Sequence, residues 1–505
     1  MIARGKGITQ TLSIAAFWVG AVGLALFTAH SLTTDIARTL AVAGIAVTAV
    51  VVAAKPMLGL IIILLLPVLG EFARLPVGPE NGILVSDIFI PVYLALWLAK
   101  KIAPRVISEK QPLSHILQKD SLKLYVPLCI FTVVGAFSLI QALLFLTPQE
   151  VGASSLYLIR YIAYLLLYFA TFDTISSERG AKNLAHIFIL SAVLITITGF
   201  VQLAIYPDLA DLEEAGWDPH INRLVGTWLD PNFVGGLLAI NMTIILGLLT
   251  HAKKWLHKFL YLLPLGIMGA GLFLTYSRSA YLAFAAGLTV VSLLKSRKIL
   301  VIALALSLVL FTFSDRARDR MEELGRSVSS VFTTSSETPD PTARLRLESW
   351  EQSWQLFLKR PLFGNGFNTL RYVNYREGFV TDTKIHSASG SDSSLLTILA
   401  TTGIAGFLAF LALQFKILAG GLKNFLSKKN SPFMRGYSVG LFGALLGLLV
   451  HSVFVNSLLF PQILSFLWPQ IGILAWIGMR DERKNYGYGS PPLYGKFVTY
   501  GRLSS

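Results

Sequence analysis

The chain has 505 residues, 54% of them hydrophobic and only 14% charged, with a formal net charge of +15. Its apolar residues fall in blocks of about 17 to 24, the length that crosses a bilayer core as a helix, so a soluble globular domain is excluded. Strand alternation is absent over those blocks and a lipid-embedded backbone must satisfy its own hydrogen bonds, so an all-α polytopic bundle is expected and a barrel is not.

In chain order, Arg4 and Lys6 precede a first apolar block with no A-x-A cleavage site after it, which reads as a spanning helix rather than a signal peptide. Spans are expected near 9–29, 36–54, 56–70, 82–99, 124–146, 153–173, 184–206, 231–250, 258–275, 279–294 and 299–314. Three more follow near 394–415, 436–456 and 460–479, giving about 14 within a range of 12 to 14. The single cysteine, Cys129, lies in an apolar block, so no intrachain disulfide and no cysteine-based metal site exists.

Basic residues set the orientation. With the N-terminus inside, the alternate loops hold KKIAPR, SSERGAK, HAKKWLHK, LKSRK, the KK of FLSKKN and the tail RDERK. That side carries 27 Lys and Arg, against four (Arg38, Arg74, Arg223, Arg278) in the short loops opposite, so both termini are expected in the cytoplasm. The positive balance suits an anionic leaflet and points to no nucleic acid.

The domain reading is therefore transmembrane helices over 1–314, an extracytoplasmic loop over 315–393, three more spans over 394–480 and a cytoplasmic tail over 481–505. The outer loop carries 11 basic and 11 acidic residues, and its length calls for a function or for disorder. Its middle, SVSSVFTTSSETPDPT, is rich in Ser, Thr and Pro. After it, Leu347, Trp350, Trp354 and Phe357 share one face of an amphipathic helix over about 343–360, which Pro361 and Gly364 to Gly366 stop. Such a helix lies at the membrane interface or packs on the bundle.

The orientation gathers the chemically able residues on the outer side. RLVGTWLDPN (Arg223 to Asn232) precedes a span, TYSRSAY (Thr275 to Tyr281) is a tight turn, and Arg346, His386 and Asp392 belong to the long loop. Arg160 stands within LYLIRYIAYLLLYF, where a charge at helix centre costs about 2.5–3.5 kcal/mol on insertion scales, so it needs a partner or a wet cavity. Snorkelling to the surface is the alternative. Several arginines at one face suggest an anionic ligand, because guanidinium pairs phosphate in bidentate fashion and keeps its charge. There is no D-x-D, H-E-x-x-H, G-x-S-x-G or Walker loop, and Asp211, Glu213, Glu214 and Asp218 near His220 read as a solvated loop, so no metal is expected.

RLVGTWLDPNFVGGLLAI, TYSRSAYLAFAAGL and RLESWEQSWQLFLKRPLFGNGF, in that order, resemble segments of the O-antigen ligase and O-antigen polymerase superfamily of membrane glycosyltransferases. The likeness covers about 223–406, and the first 150 residues match only as generic spans. It implies an all-helical fold, an undecaprenyl-diphosphate-linked glycan as donor, a glycan, lipid or protein acceptor, no cofactor, and a place in the bacterial inner membrane. Carried over residue by residue, it implies that Arg278, Arg346 and Arg223 bind the diphosphate, with Asn232, Ser277, Trp350, Gly364, Gly366 and Gly403 in support; Arg160, outside the likeness, is expected to join them as an intramembrane arginine facing a cavity. The ligases carry a histidine followed by Asn, Ser or Gln, with a glycine eleven residues after the histidine. Counting back from Gly403 lands on Asp392, followed by Ser393, and His386 is six residues early. Either Asp392 replaces the histidine as catalytic base or the loop brings His386 back over the site. Asp392 also suits the N-cap of a helix starting at Ser393.

A hydroxyl attacking an anomeric carbon bonded to diphosphate needs a base and stabilisation of the departing anion, which these residues supply. Ligase and polymerase remain open alternatives. An anion transporter of the bicarbonate type, found in the same superfamily, is the other reading, since intramembrane arginines also serve anion paths.

Overall fold

The computed structural model describes residues 55–77, 81–108, 122–213, 220–312, 341–383 and 390–485, with single positions between 313 and 340. The expected spans near 9–29 and 36–54, the Ser/Thr/Pro-rich stretch and His386 lie outside the described residues. In chain order the first helices are α1 (Pro56–Leu65), α2 (Val85–Ser108), α3 (Tyr125–Ala142), α4 (Pro148–Thr174) and α5 (Glu178–Ile205). Next come α6 (Pro231–Leu249), α7 (Trp255–Thr275), α8 (Arg278–Lys295), α9 (Arg297–Thr312), α10 (Pro341–Lys359) and α11 (Leu370–Arg376). The last are α12 (Ser394–Leu426), α13 (Pro432–Phe454) and α14 (Pro461–Asn485).

Among the described residues eight helices are long and apolar enough to cross a membrane: α3 to α7 and α12 to α14. They coincide with eight of the expected spans, and the protein is an integral membrane protein. Helices also occupy the positions expected near 279–294 and 299–314. The chain forms two compact units, one of Met1–Pro112, Ile159–Asp230 and Leu459–Pro469, the other of Leu113–Leu158, Pro231–Leu458 and Gln470–Ser505.

In the first unit the expected span near 56–70 is a helix only as far as Leu65, where Pro67 interrupts the backbone ladder and two 3₁₀ turns follow. Three carbonyls around this interruption are taken up by side chains: Ser191 Oγ donates to Leu64 O at 2.8 Å, Trp228 Nε1 to Pro67 O at 2.7 Å and Thr227 Oγ1 to Val68 O at 2.8 Å. Gly70, at φ +54°, lets the Thr227 carbonyl approach to where a Cβ would stand 2.1 Å away. A short antiparallel hairpin, β1 (Arg74–Val77) with β2 (Asn81–Leu84), pairs Arg74 with Leu84. The span expected near 82–99 therefore begins as a strand and turns helical at Val85.

In the second unit α13 threads past α6 and α8 on a row of glycines, Gly436, Gly440, Gly443 and Gly447, spaced four, three and four residues apart. A Cβ on Gly440 would lie 2.7 Å from Ile244 Cα, one on Gly447 2.3 Å from Ala283 O, and one on Gly247 of α6 2.3 Å from Gly436 O. Lipid offers no hydrophobic drive between helices, so this small-residue contact is what lets the backbones pack.

Helix α12 is broken. Gly403, at φ 64° and ψ −168°, takes a conformation that only glycine reaches without strain, and it frees polar backbone groups on both sides. The loop after α10 fills the break. Asn365 N donates to Ala400 O (2.9 Å) and Gly366 N to Thr401 O (3.0 Å), while Ile404 N donates to Pro361 O (2.8 Å) and Ala405 N to Leu362 O (3.2 Å). Asn365 Nδ2 reaches Ala400 O and Leu356 O, both at 2.9 Å, and its Oδ1 accepts from Arg360 Nη1 at 2.6 Å. Gly364 and Gly366 have positive φ, and a Cβ at 364 would lie 2.4 Å from the Thr401 carbonyl carbon. Gly364, Gly366 and Gly403 are thus one interlock, and the short helix 394–402 hangs from it.

Candidate active site

The site in the second unit begins at a helix start. α8 opens at Arg278 behind the N-cap Ser277, whose Oγ accepts from Ala280 N at 3.4 Å and donates to Asn232 Oδ1 at 2.8 Å in the first turn of α6. Sequence therefore places Arg278 at a tight turn, and the Asn232 to Ser277 bond fixes that turn against α6.

His451, in the last turn of α13, links this corner to the rest. It is fully buried, its Nδ1 shares a hydrogen bond with Ser457 Oγ at 3.1 Å, and its ring lies on Gly236 of α6, where a Cβ would be 2.9 Å from Cε1. The Asn232 main chain and the Arg346 guanidinium both act on the ring electrostatically. Arg346 sits in the second turn of α10, half-buried. One turn on, Ser349 Oγ donates to Arg346 O at 2.9 Å and accepts from Asp392 N at 3.3 Å, and Trp350 packs against Phe454 with ring centroids 6.0 Å apart.

The stretch after Asp392 is held by the exit of α13. Ser393 Oγ donates to Ser452 O (3.4 Å), Ser394 Oγ to Val455 O (3.2 Å), and Leu458 N donates to Ser394 Oγ (3.0 Å). Asp392 does not cap α12. Ser393 does, accepting from Leu396 N at 3.3 Å with an extended backbone, so the aspartate stands one residue before the cap and is exposed.

α10 runs over Pro341–Lys359, within two residues of the expected bounds, but its inward face is not the apolar one. Arg346, Ser349, Trp350, Ser353, Leu356 and Phe357 turn inward, whereas Leu347, Trp354 and Leu358 are 39%, 47% and 58% exposed. The expected stripe of Leu347, Trp350, Trp354 and Phe357 is split, with Trp350 and Phe357 partly covered and Leu347 and Trp354 exposed. Beyond α10, Arg360 lies 3.6 Å over the Phe145 ring; burial lowers its pKa from the ordinary arginine value and Glu377 opposes this. Arg376 pairs Glu150 at 2.7 Å, tying the loop to α4.

Of the expected residues, Asn232, Ser277, Arg278, Arg346, Trp350 and Asp392 thus belong to one connected set, with Gly364, Gly366 and Gly403 supporting it from the α12 break. Arg160 and Arg223 belong to the other unit. There Arg160 Nη2 pairs Asp87 Oδ2 at 2.6 Å, and Asp87 also accepts from Leu84 N at 3.0 Å and Tyr164 OH at 3.5 Å. The partner that this half-buried intramembrane arginine requires is Asp87. His451, Ser457 and Asn456 were not among the expected residues.

The segment that holds Arg278, Arg346, Asp392 and Gly403 has a counterpart among known proteins: residues 263–411 match the family described as O-antigen ligase. That segment is similar to an O-antigen ligase domain. The match covers the turn before α8, the whole of α10, the interlock and the first half of α12, and leaves Asn232 and His451 outside it. No curated protein matches the chain.

Proposed function

We propose that the protein transfers or polymerises an undecaprenyl-diphosphate-linked glycan onto an acceptor hydroxyl at the outer face of the bacterial inner membrane, with both termini in the cytoplasm. What supports this reading is that Arg278, Arg346 and Asp392 all lie in the segment that matches the O-antigen ligase family, with Asp392 N bonded to Ser349 of α10, three residues after Arg346.

In this reaction the acceptor oxygen bonds to the anomeric carbon as the bond from that carbon to the diphosphate oxygen breaks. Asp392, exposed at the residue before the α12 cap, takes the hydroxyl proton. Arg278 and Arg346 meet the charge left on the diphosphate, and as guanidiniums they stay cationic while doing so. Asn232 and Ser277 hold Arg278 in place, and His451 with its Ser457 bond ties α6 to the exit of α13. Helix α10, with Leu347, Trp354 and Leu358 on its open side, suits the interface where a lipid-borne substrate arrives. Arg160 and Arg223 are the weaker members of the proposed diphosphate set. The pairing of Arg160 with Asp87 also weighs against the anion-transporter reading, because it neutralises the intramembrane charge on which that reading leans.

The test is transfer by the purified protein from an undecaprenyl-diphosphate glycan, with and without a chelator. Release of undecaprenyl diphosphate, chelator or not, is expected; no release with any glycan from the producing cell would overturn the proposal.

A further inference from the structure

Buried side-chain polar atoms without a hydrogen-bond partner among the described residues are scattered through the bundle, and three of them belong to elements that meet beside Asp392. Ser391 is 3% exposed, and its Oγ has no hydrogen-bond partner among the described residues. The same holds for Oδ1 of Asn456 and for Nε1 of Trp350. The three come from three elements that meet: Ser391 from the lead-in to α12, Asn456 from the exit of α13, and Trp350 from α10. Asn456 Nδ2 lies 3.6 Å from where a Cβ on Gly390 would stand, the Trp350 ring packs on Phe454, and Asp392 N bonds Ser349 Oγ at 3.3 Å.

Native proteins leave buried polar groups unpaired only rarely, and a group of them at one place marks where a ligand supplies the partners. Their chemistry names the ligand. A side-chain amide offers an acceptor and two donors side by side, a hydroxyl does both jobs, and an indole gives one donor on an apolar body. That is the complement of a sugar ring with two neighbouring hydroxyls over an apolar face. The base must touch the attacking hydroxyl, so the ring beside Asp392 is the acceptor's and not the donor's.

We propose that Trp350, Ser391 and Asn456 form the subsite that holds the acceptor, a pyranose presenting a vicinal diol, with its free hydroxyl toward Asp392. The subsite rests on the glycosyltransferase reading for its role and on the unpaired atoms for its existence. Glycan or glycolipid acceptors fit it, and an acceptor with no sugar does not.

Two measurements test it separately. In the transfer assay at saturating donor, Asn456→Ala and Ser391→Ala are each expected to raise the acceptor KM about tenfold, as the loss of one hydrogen bond does, with kcat and the donor KM near wild type. Asn456→Asp, which keeps Oδ1, is expected to recover part of that loss. A residue that only braced the fold would instead lower kcat and heat stability together. Without donor, a series of methyl pyranosides of gluco, galacto and manno configuration is titrated against tryptophan fluorescence. A saturable change is expected that disappears in Trp350→Phe and weakens in Asn456→Ala. Pyranoside binding with no glycan transfer would retain the subsite and remove the proposed function. Transfer with an unchanged acceptor KM in both alanine variants, or no pyranoside response in the wild type, would overturn the subsite.

Discussion

Replacing Asn365 by alanine is expected to loosen the half-helix that positions Asp392, at a cost the structure lets us work out. The side chain is fully buried and makes three hydrogen bonds: to Leu356 O, to Ala400 O and from Arg360 Nη1. Ala400 O keeps the Asn365 main-chain N–H, so its loss is small. Leu356 O loses a buried donor, at about 1–3 kcal/mol, and Arg360 loses a charge-assisted bond, at about 1.5–3 kcal/mol. The sum is about 2.5–6 kcal/mol. Domains of 150–250 residues shift by about 2–4 °C per kcal/mol, and a chain twice that size by about half as much, so a fall in Tm of roughly 3–12 °C follows. Nanoscale differential scanning fluorimetry in detergent measures it. Asn365→Asp keeps the acceptor for Arg360 and should fall between the two. A Tm within 1 °C of wild type for Asn365→Ala would refute the idea that this loop supports the break at Gly403.

Arg278→Lys and Arg346→Lys should both lose most transfer activity at near-normal expression, since an ammonium does not reproduce a bidentate grip on phosphate; the check is transfer rate per milligram of purified variant. Asp392→Asn should abolish transfer with the Tm unchanged, because Ser393 and not Asp392 caps α12, while His386→Ala should lower the rate only moderately. Gly440→Val places side-chain atoms against Ile244 and Gly447→Val against the Ala283 carbonyl, so either should abolish recovery of folded protein by size-exclusion chromatography. A reporter after Lys429 or at the C-terminus should report cytoplasm and one near Thr334 the outer side, following the asymmetry of basic residues.

Much of this was legible from residue order. Eight spans were readable because length and apolarity alone define them, and the bounds of α10 followed from Pro361 and the glycines behind it. The facing of α10 was not, since amphipathicity assumes that the covered side is apolar, and here Arg346, Ser349 and Ser353 turn inward. Asp87 is 73 residues from Arg160, and nothing local joins them. The glycines at 364, 366 and 403 announced turns and a fixed spacing, but only the fold shows that they lock into one another across the broken helix. In the run Asp392, Ser393, Ser394, either of the first two residues makes a good cap, so propensity could not choose. His451 and Asn456 carry no spacing signal: each is a single polar residue near the end of an apolar block.

The central claim is glycosyl transfer at the Arg278, Arg346 and Asp392 junction, and the most direct measurement counts both products in one vesicle preparation. Purified protein reconstituted with undecaprenyl-diphosphate glycan and acceptor is assayed for new glycosidic bonds, for released undecaprenyl diphosphate and, in parallel, for bicarbonate uptake. The account predicts one released diphosphate for each bond formed, loss of both signals together in Arg278→Lys and Asp392→Asn, and no uptake. Bicarbonate uptake that depends on Arg278, with no glycosidic bond formed, would contradict it.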